Sequence, residues 1–316
     1  MANIRRMCVA NPGTREISRM TLLDPNETFE SFDYVIDRMN YNYEHLRVEF
    51  VSEYVVSVKL NRPRQMNALN QKIWSEIEDV FKKLDIDENC RVIILSGEGK
   101  AFSSGLDLKD GGLTELITLE EGDDVARKAR QIRRKIQKMQ QAFTNIEECC
   151  KPVIAAIHGV CYGGGIDIIS ACDIRQCTKD ATFSVKEVDV GLAADVGSLN
   201  RLPKICGNES WLKEVAFSAR NFGADEAFKF DLVSRIHATY DDMFREVLSL
   251  ARNIAEKSPV AVQGTKVVLN FSRDHTVEEG LRFVATWNQS QLMTEDISKS
   301  GLATMTKSPM PPFSKI

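Results

Sequence analysis

Three acids stand where acids are unusual. Asp167 follows the glycine run Gly163-Gly164-Gly165, Glu187 lies 20 residues on in Val185-Lys186-Glu187-Val188-Asp189-Val190-Gly191, and Asp195 lies 28 residues after Asp167 in Leu192-Ala193-Ala194-Asp195-Val196-Gly197. Asp195 is flanked by small apolar residues, where desolvation would raise a carboxyl pKa toward the pH at which a general acid or base works best. Each acid also has a plainer reading: Asp167 as a first-turn helix acid favoured by the macrodipole, Glu187 as an exposed strand residue, Asp195 as a helix N-cap. Two loops share a second chemical design. Ala101–Leu108 and His158–Asp167 each follow a strand-like apolar run and are rich in small residues, which let a backbone approach a ligand closely. Each opens toward a helix, whose first amides have no partner of their own. Two such amides converging would form an oxyanion hole, which stabilises a carbonyl oxygen as it gains charge; otherwise the loops are ordinary strand-to-helix turns. No Gly-Lys-Ser/Thr follows the glycines and no Gly-x-Gly-x-x-Gly is present, so neither dedicated phosphate motif applies.

The surrounding periodicity says what must hold these residues. Leu46–Val51 and Tyr54–Leu60 are β-branched and aromatic and read as a hairpin. Leu69–Leu84 has apolar residues at helical spacing, Val92–Ser96 and Val153–Ile157 read as buried strands, and Ala126–Ile146 reads as a long polar helix with a thin apolar stripe. Ile166–Ala171 starts a helix and Phe183–Val185 is a short strand. Beyond about residue 222 the pattern is helical throughout: Asp225–Phe230, Asp242–Ala255, Pro259–Phe271 and Val277–Ile297. Strands and helices alternate first and helices follow, the order of an α/β core with an appended helical domain. The expected division is an N-terminal extension over 1–45, a core over 46–222, and a helical domain with a tail over 223–316.

Composition narrows the class. The chain has 316 residues, 43 % apolar, with 41 basic against 45 acidic side chains for a net charge of −4, which gives no concentrated basic footprint for a nucleic acid. No apolar run reaches the roughly 20 residues of a membrane-spanning helix. Eight cysteines without CxxC spacing indicate neither a disulfide framework nor a zinc site. The arginine-bearing Met1–Met20 has some features of a mitochondrial presequence, whereas Ser314-Lys315-Ile316 is one residue away from the Ser-Lys-Leu peroxisomal address, and the latter is the weightier signal.

Taken together, Asn61-Arg62-Pro63, Asn67-Ala68-Leu69, Ala101–Leu108, Lys151–Asp173, Phe183–Gly197 and Arg201-Leu202-Pro203 resemble the crotonase (enoyl-CoA hydratase/isomerase) superfamily over roughly residues 46–300. Within it, Gly122–Arg127, Val185–Gly197 and Ser272-Arg273-Asp274-His275 resemble the dienoyl-CoA isomerase branch, while Leu106–Gly122 departs from the family's usual loop. The resemblance implies a crotonase spiral of ββα units with a C-terminal helical oligomerisation domain that assembles trimers or hexamers. It implies that the amides of Leu106 and Gly164 bind the thioester oxygen and that Ser104, Gly105, Leu106, Asp107, Leu108 and Gly164 line the acyl-CoA site. Family hydratases carry glutamates at the positions of Asp167 and Glu187 and usually glycine at that of Asp195. The departures at 167 and 195 therefore imply proton movement along a conjugated chain rather than hydration. Glu187 is expected to take the proton from carbon 2, Asp195 to protonate carbon 6, and Asp167 to tune the pair. Coenzyme A would arrive as part of the substrate, with no metal, nicotinamide or flavin. A 2-enoyl-CoA hydratase and a non-catalytic RNA-binding homologue are the rival readings. His158 is expected in the core, Arg201 in a structural ion pair, and Lys186 and Asp189 turned to solvent or scaffold.

Overall fold

The computed structural model describes residues 40–109 and 124–316; most of the N-terminal extension, Cys8 and residues 110–123, with the greater part of the departing loop, lie outside the described residues. The chain opens with an antiparallel hairpin, β1 (Leu46–Ser52) and β2 (Val55–Leu60). Helix α1 (Gln71–Ile86) follows, capped by Asn70, whose side chain accepts from the Ile73 N–H at 3.1 Å. Then strands alternate between two sheets. β3 (Val92–Gly97), β5 (Val153–Ile157), β7 (Ile174–Thr178) and β10 (Arg235–His237) extend the hairpin's sheet in the order β1-β2-β3-β5-β7-β10, while β4 (Ala101–Ser103), β6 (Val160–Tyr162), β8 (Thr182–Ser184) and β9 (Phe222–Gly223) build the second sheet in the order β4-β6-β8-β9. Each return from the larger sheet to the smaller advances one strand along both, which makes the spiral.

The large sheet is apolar on both faces, as a sheet covered on both sides requires. Alternation along β3 sends Val92 and Ile94 toward helix α7 (Tyr240–Ala255), where they meet Met243, Val247 and Ala251, while Ile93 and Leu95 join the main core with Phe81, Phe102 and Phe143. Between these strands lie α2 (Val125–Glu148) and α3 (Gly164–Ala171), and α4 (Ser198–Ile205), α5 (Glu209–Ser218) and α6 (Ala224–Lys229) follow β8. All eight residues of α3 are buried. The C-terminal part is α8 (Pro259–Arg273), α9 (Val277–Gln291) and α10 (Glu295–Thr306).

Two details differ from the periodicity. The chain beyond residue 222 is not helical throughout, because β10 returns to pair in parallel with β7; three residues are too few to show a two-residue repeat. The stretch Val277–Ile297 is two helices, because Thr294 caps a new helix by accepting from the Asp296 N–H at 3.3 Å, and an N-cap hydroxyl holds a helix start in place. After α10 the tail lies against the body: Phe313 is buried, its carbonyl accepts from Arg91 at 2.8 Å, and the Lys315 ammonium reaches Asn89 Oδ1 at 2.6 Å.

One side chain ties the first loop of the site to the sheet. Asn67, fully buried with φ at 54°, accepts from the Arg62 N–H at 2.8 Å and donates to the carbonyls of Glu98 at 2.9 Å and Ala101 at 2.7 Å, while its own carbonyl accepts from Ser103 Oγ at 2.9 Å. Asparagine tolerates the left-handed region better than other non-glycine residues, and its side-chain amide bonds one backbone N–H and two backbone carbonyls. Asn67→Ala is expected to lower unfolding stability by roughly 2–4 kcal/mol in urea titration; a loss under about 0.5 kcal/mol would contradict this account of the loop.

Candidate active site

Three adjacent parallel strands of the small sheet deliver the site. β4 pairs with β6 and β6 with β8, all parallel, so the residues that leave their C-terminal ends emerge side by side: Ser104–Leu108 from β4, Gly163–Asp167 from β6 and Lys186–Glu187 after β8. A cavity of about 120 Å³ lies there, lined by Ser104, Gly105, Leu106, Leu108, Gly163, Gly164 and by all three acids, Asp167, Glu187 and Asp195. Trp74 of α1, Met139 of α2, Val190, Leu192 and Val196 give it apolar walls.

The two backbones approach as closely as glycine permits. A Cβ on Gly105 would stand 2.8 Å from the Tyr162 carbonyl and 3.3 Å from the Gly164 nitrogen, and Gly105 has φ at +86°. The Leu69 N–H donates to the Gly105 carbonyl at 2.8 Å and the Asp107 N–H to the Leu69 carbonyl at 3.1 Å. Alternation along an extended chain then turns the N–H of Leu106, between those two, to the opposite side, toward the cavity. Gly164 is the first residue of α3, where an N–H has no acceptor four residues back in the helix. Two amides from different loops thus border one cavity.

The acids are held differently. Asp167 is fully buried, and its Oδ1 accepts from the Ser198 N–H at 2.5 Å, while Oδ2 has no hydrogen-bond partner among the described residues. Burial pushes its carboxyl up to about 6 against the pull of the Ser198 amide and the Arg201 charge. Glu187 stands over Gly163, where an added Cβ would lie 3.4 Å from its Oε1, and its Oε2 also lacks a partner among the described residues. Desolvation first, then the neighbouring Asp167 and Asp195 charges, push it up to about 7. Asp195 is half-buried and is also raised, by desolvation; its carbonyl accepts from Gln140 Nε2 at 2.7 Å. Groups this close titrate as a set, so a proton held by one is felt by the others.

The plainer readings fail for two of the acids. Glu187 lies in a 3-10 turn, Glu187–Val190, rather than a strand, and the N-cap of α4 is Gly197, not Asp195. The turn also breaks the alternation expected along that segment: Lys186 lines the cavity, with its ammonium 3.2 Å from Asp189 Oδ2 and 2.9 Å from the Ala219 carbonyl. Asp107 does not face the cavity. It is buried against Arg62, Oδ2 to guanidinium at 2.7 Å, and its other oxygen accepts from the Lys109 N–H at 3.1 Å, since a charge beside a desolvated guanidinium is held there. His158 is a core residue, edge-on to Tyr240, and Arg201 pairs with Glu147 at 2.8 Å. Sequence reasoning missed Trp74 and Met139, whose only signal was their place on the apolar stripes of α1 and α2, and Ser198, which acts through its backbone.

A carboxyl whose folded pKa is raised contributes stability below its ordinary pKa and loses it as pH rises through the folded value. For Glu187 that window runs from about 4.5 to about 7. Glu187→Gln is therefore expected to melt at a progressively higher temperature than the parent as pH rises from 5 to 8, read by calorimetry; a difference that does not change with pH would contradict the burial of this charge.

The family model described as Enoyl-CoA hydratase/isomerase matches residues 51–314. The chain is 52 % identical over 268 residues to the mitochondrial Delta(3,5)-Delta(2,4)-dienoyl-CoA isomerase of Mus musculus, covering 85 % of this chain and 81 % of that one. It is 46 % identical over 258 residues to the peroxisomal enzyme of the same name from Arabidopsis thaliana, covering 81 % and 91 %. Among solved structures it is similar to the enoyl-CoA hydratase of Bacillus anthracis, with a TM-score of 0.76, 26 % identity, and 86 % of this chain and 99 % of that one covered. The spiral, the paired glycine loops and the matched span place the chain in the enoyl-CoA hydratase/isomerase family.

Proposed function

We propose that the protein converts 3,5-dienoyl-CoA thioesters to 2,4-dienoyl-CoA thioesters in the oxidation of unsaturated fatty acids. The observation that carries this reading is the convergence of Asp167, Glu187 and Asp195 in one cavity bordered by the Leu106 and Gly164 amides. Relatives at 52 % and 46 % identity bear that activity in their names.

The thioester oxygen accepts from the Leu106 and Gly164 N–H groups, and the acyl chain runs past Leu108, Trp74 and Met139. Glu187, with a proton affinity matched to neutral pH, takes a proton from carbon 2. The C–H electron pair enters the conjugated system as a dienolate whose negative charge rests on the held oxygen, where preorganised donors stabilise it most. Asp195 gives a proton to carbon 6, and the double bonds at carbons 3 and 5 become double bonds at carbons 2 and 4. Proton return from Glu187 to Asp195 resets the pair, with Asp167 governing how strongly each holds its proton. A site in which neighbouring acids are held in opposite protonation states suits such a shuttle. This chemistry uses side chains and amides alone; coenzyme A enters as part of the substrate.

Hydration is the rival within the family. Against it stand an aspartate at 167, one methylene shorter than the hydratase glutamate, and a third acid at 195 that a water addition does not need. For assembly, the exposed Leu281, Leu292, Met293, Leu302 and Met305 of the C-terminal helices favour burial between copies of the chain, as a trimer or hexamer. The net charge of −4 disfavours a nucleic-acid partner, and no helix among the described residues is long and apolar enough to cross a membrane. Relatives named for the mitochondrion and the peroxisome support a place in either organelle, with Ser314-Lys315-Ile316 favouring the peroxisome.

The direct assay follows the ultraviolet absorbance of the conjugated 2,4-dienoyl product. Turnover is expected with 3,5-dienoyl-CoA and not with crotonyl-CoA, and kcat/KM should follow a bell-shaped pH profile, because Glu187 must be ionised and Asp195 protonated when the substrate binds. Asp195→Asn is expected to slow isomerisation by roughly 10²–10⁴-fold. Rapid hydration of crotonyl-CoA, or full isomerisation by the Asn variant, would overturn the proposal.

A further inference from the structure

The segment 195–201 carries two parts of the site at once, the Asp195 carboxyl and the Ser198 N–H that grips Asp167, and it is clamped from outside the cavity. Gln140, Thr144 and Glu147 recur at helical spacing on one face of α2. Gln140 Nε2 donates to the Asp195 carbonyl at 2.7 Å, Thr144 Oγ1 accepts from the Arg201 guanidinium at 3.2 Å, and Glu147 Oε2 accepts from Arg201 Nε at 2.8 Å. The Arg201 guanidinium folds back over Gly197, where any Cβ would collide with it, and Gly197 takes φ at +136°. The Arg201 N–H donates to the Gly197 carbonyl at 3.0 Å. Arg273, from the end of α8, pairs with the other oxygen of Glu147. A chain of contacts thus runs from a C-terminal helix through Glu147 and Arg201 to the backbone that holds Asp167.

We propose that Arg201, fixed by Glu147 and Thr144, is a positioning residue that sets the ionisation of the site: it places the Ser198 N–H on Asp167 and holds a positive charge behind it. A surface ion pair would contribute little, but Arg201 is 9 % exposed and Glu147 is nearly as covered, and a guanidinium fork fixes geometry as well as charge. Four ionisable groups besides Arg201 act on or near Asp167. Glu187 and Asp195 face it across the cavity, Cys161 lies beneath it on β6, and Lys186 lines the same cavity with its ammonium turned to Asp189. Arg201 is the cation whose attraction holds the Asp167 carboxyl down against burial. Because that carboxyl raises the proton affinity of Glu187, the clamp reaches the base through one intermediary.

This inference rests on the isomerase reading for its kinetic arm and is independent of it in a second arm. The full-length chain is labelled with carboxyl-¹³C aspartate, the Asp167 signal is assigned by its loss in Asp167→Asn, and its titration is followed by NMR in the parent, Arg201→Gln and Arg201→Lys. Arg201→Gln is expected to move the Asp167 midpoint up by about half a pH unit or more, and Arg201→Lys, which keeps the charge and loses the fork, to restore most of that shift. In the dienoyl-CoA assay the limb of kcat/KM that reports Glu187 should shift to lower pH as the Asp167 midpoint rises, since less Asp167 charge then opposes ionisation of Glu187, and Arg201→Lys should recover the pH profile more fully than kcat. An unchanged Asp167 midpoint in a folded Arg201→Gln protein, with only a lower Tm, would make Arg201 a structural ion pair and overturn the proposal. Absence of isomerase activity alongside a shifted midpoint would instead count against the function and leave the clamp standing.

Discussion

The cost of ionising several carboxyl groups in one small apolar space governs the rest of this structure. Asp167 is fully buried, and Glu187 and Asp195 share its cavity with Trp74, Met139, Leu192 and Val196. Water would screen these charges and hold every acid near its ordinary pKa; its exclusion spreads their proton affinities and brings two of them toward neutrality. The fold supplies that exclusion. Parallel neighbours β4, β6 and β8 end side by side, so the residues that leave them, Ser104–Leu108, Gly163–Asp167 and Lys186–Glu187, meet at one cavity. Glycines at 105 and 163 let the loops close to backbone distance.

The same constraint explains why hydration and isomerisation can share a scaffold. Both need a thioester oxygen held by two amides, because both pass through charge on that oxygen. They differ in where the next proton goes. In the proposed mechanism a further carboxyl at position 195, carried by a segment that also holds Asp167 through Ser198, would extend the reach of proton transfer along the acyl chain without moving the amides. Specificity for the reaction then lies in few side chains on a common backbone, consistent with fold similarity to a hydratase at 26 % identity.

Much of this was legible in the sequence because it rests on local chemistry. The hairpin, the buried strands, the glycine loops and the three acids each leave a short-range mark, and the strand positions of β3 and β5 are near-continuous apolar runs because both sheet faces are covered. What escaped depends on contacts distant in sequence. Asp107 sits in a loop of the site yet turns to Arg62, 45 residues away, and no local pattern reports that pairing. The 3-10 turn after β8 brings Lys186 to the cavity where a strand would have turned it away. Short β10 carries too few residues for a period to show. The clamp of Gln140, Thr144 and Glu147 on segment 195–201 was hidden because polar residues on a helix ordinarily read as its solvated face.

The central claim is that this cavity keeps at least one carboxyl protonated near neutral pH. Infrared difference spectroscopy between the parent and Glu187→Gln reads it directly, since the carbonyl stretch of a protonated acid is separate from the bands of a carboxylate. A protonated-acid band that is present in the parent below about pH 7, fades as pH rises through that value and is lost or shifted in the variant is the expected result. A parent whose carboxyls are all ionised throughout that range would contradict the account.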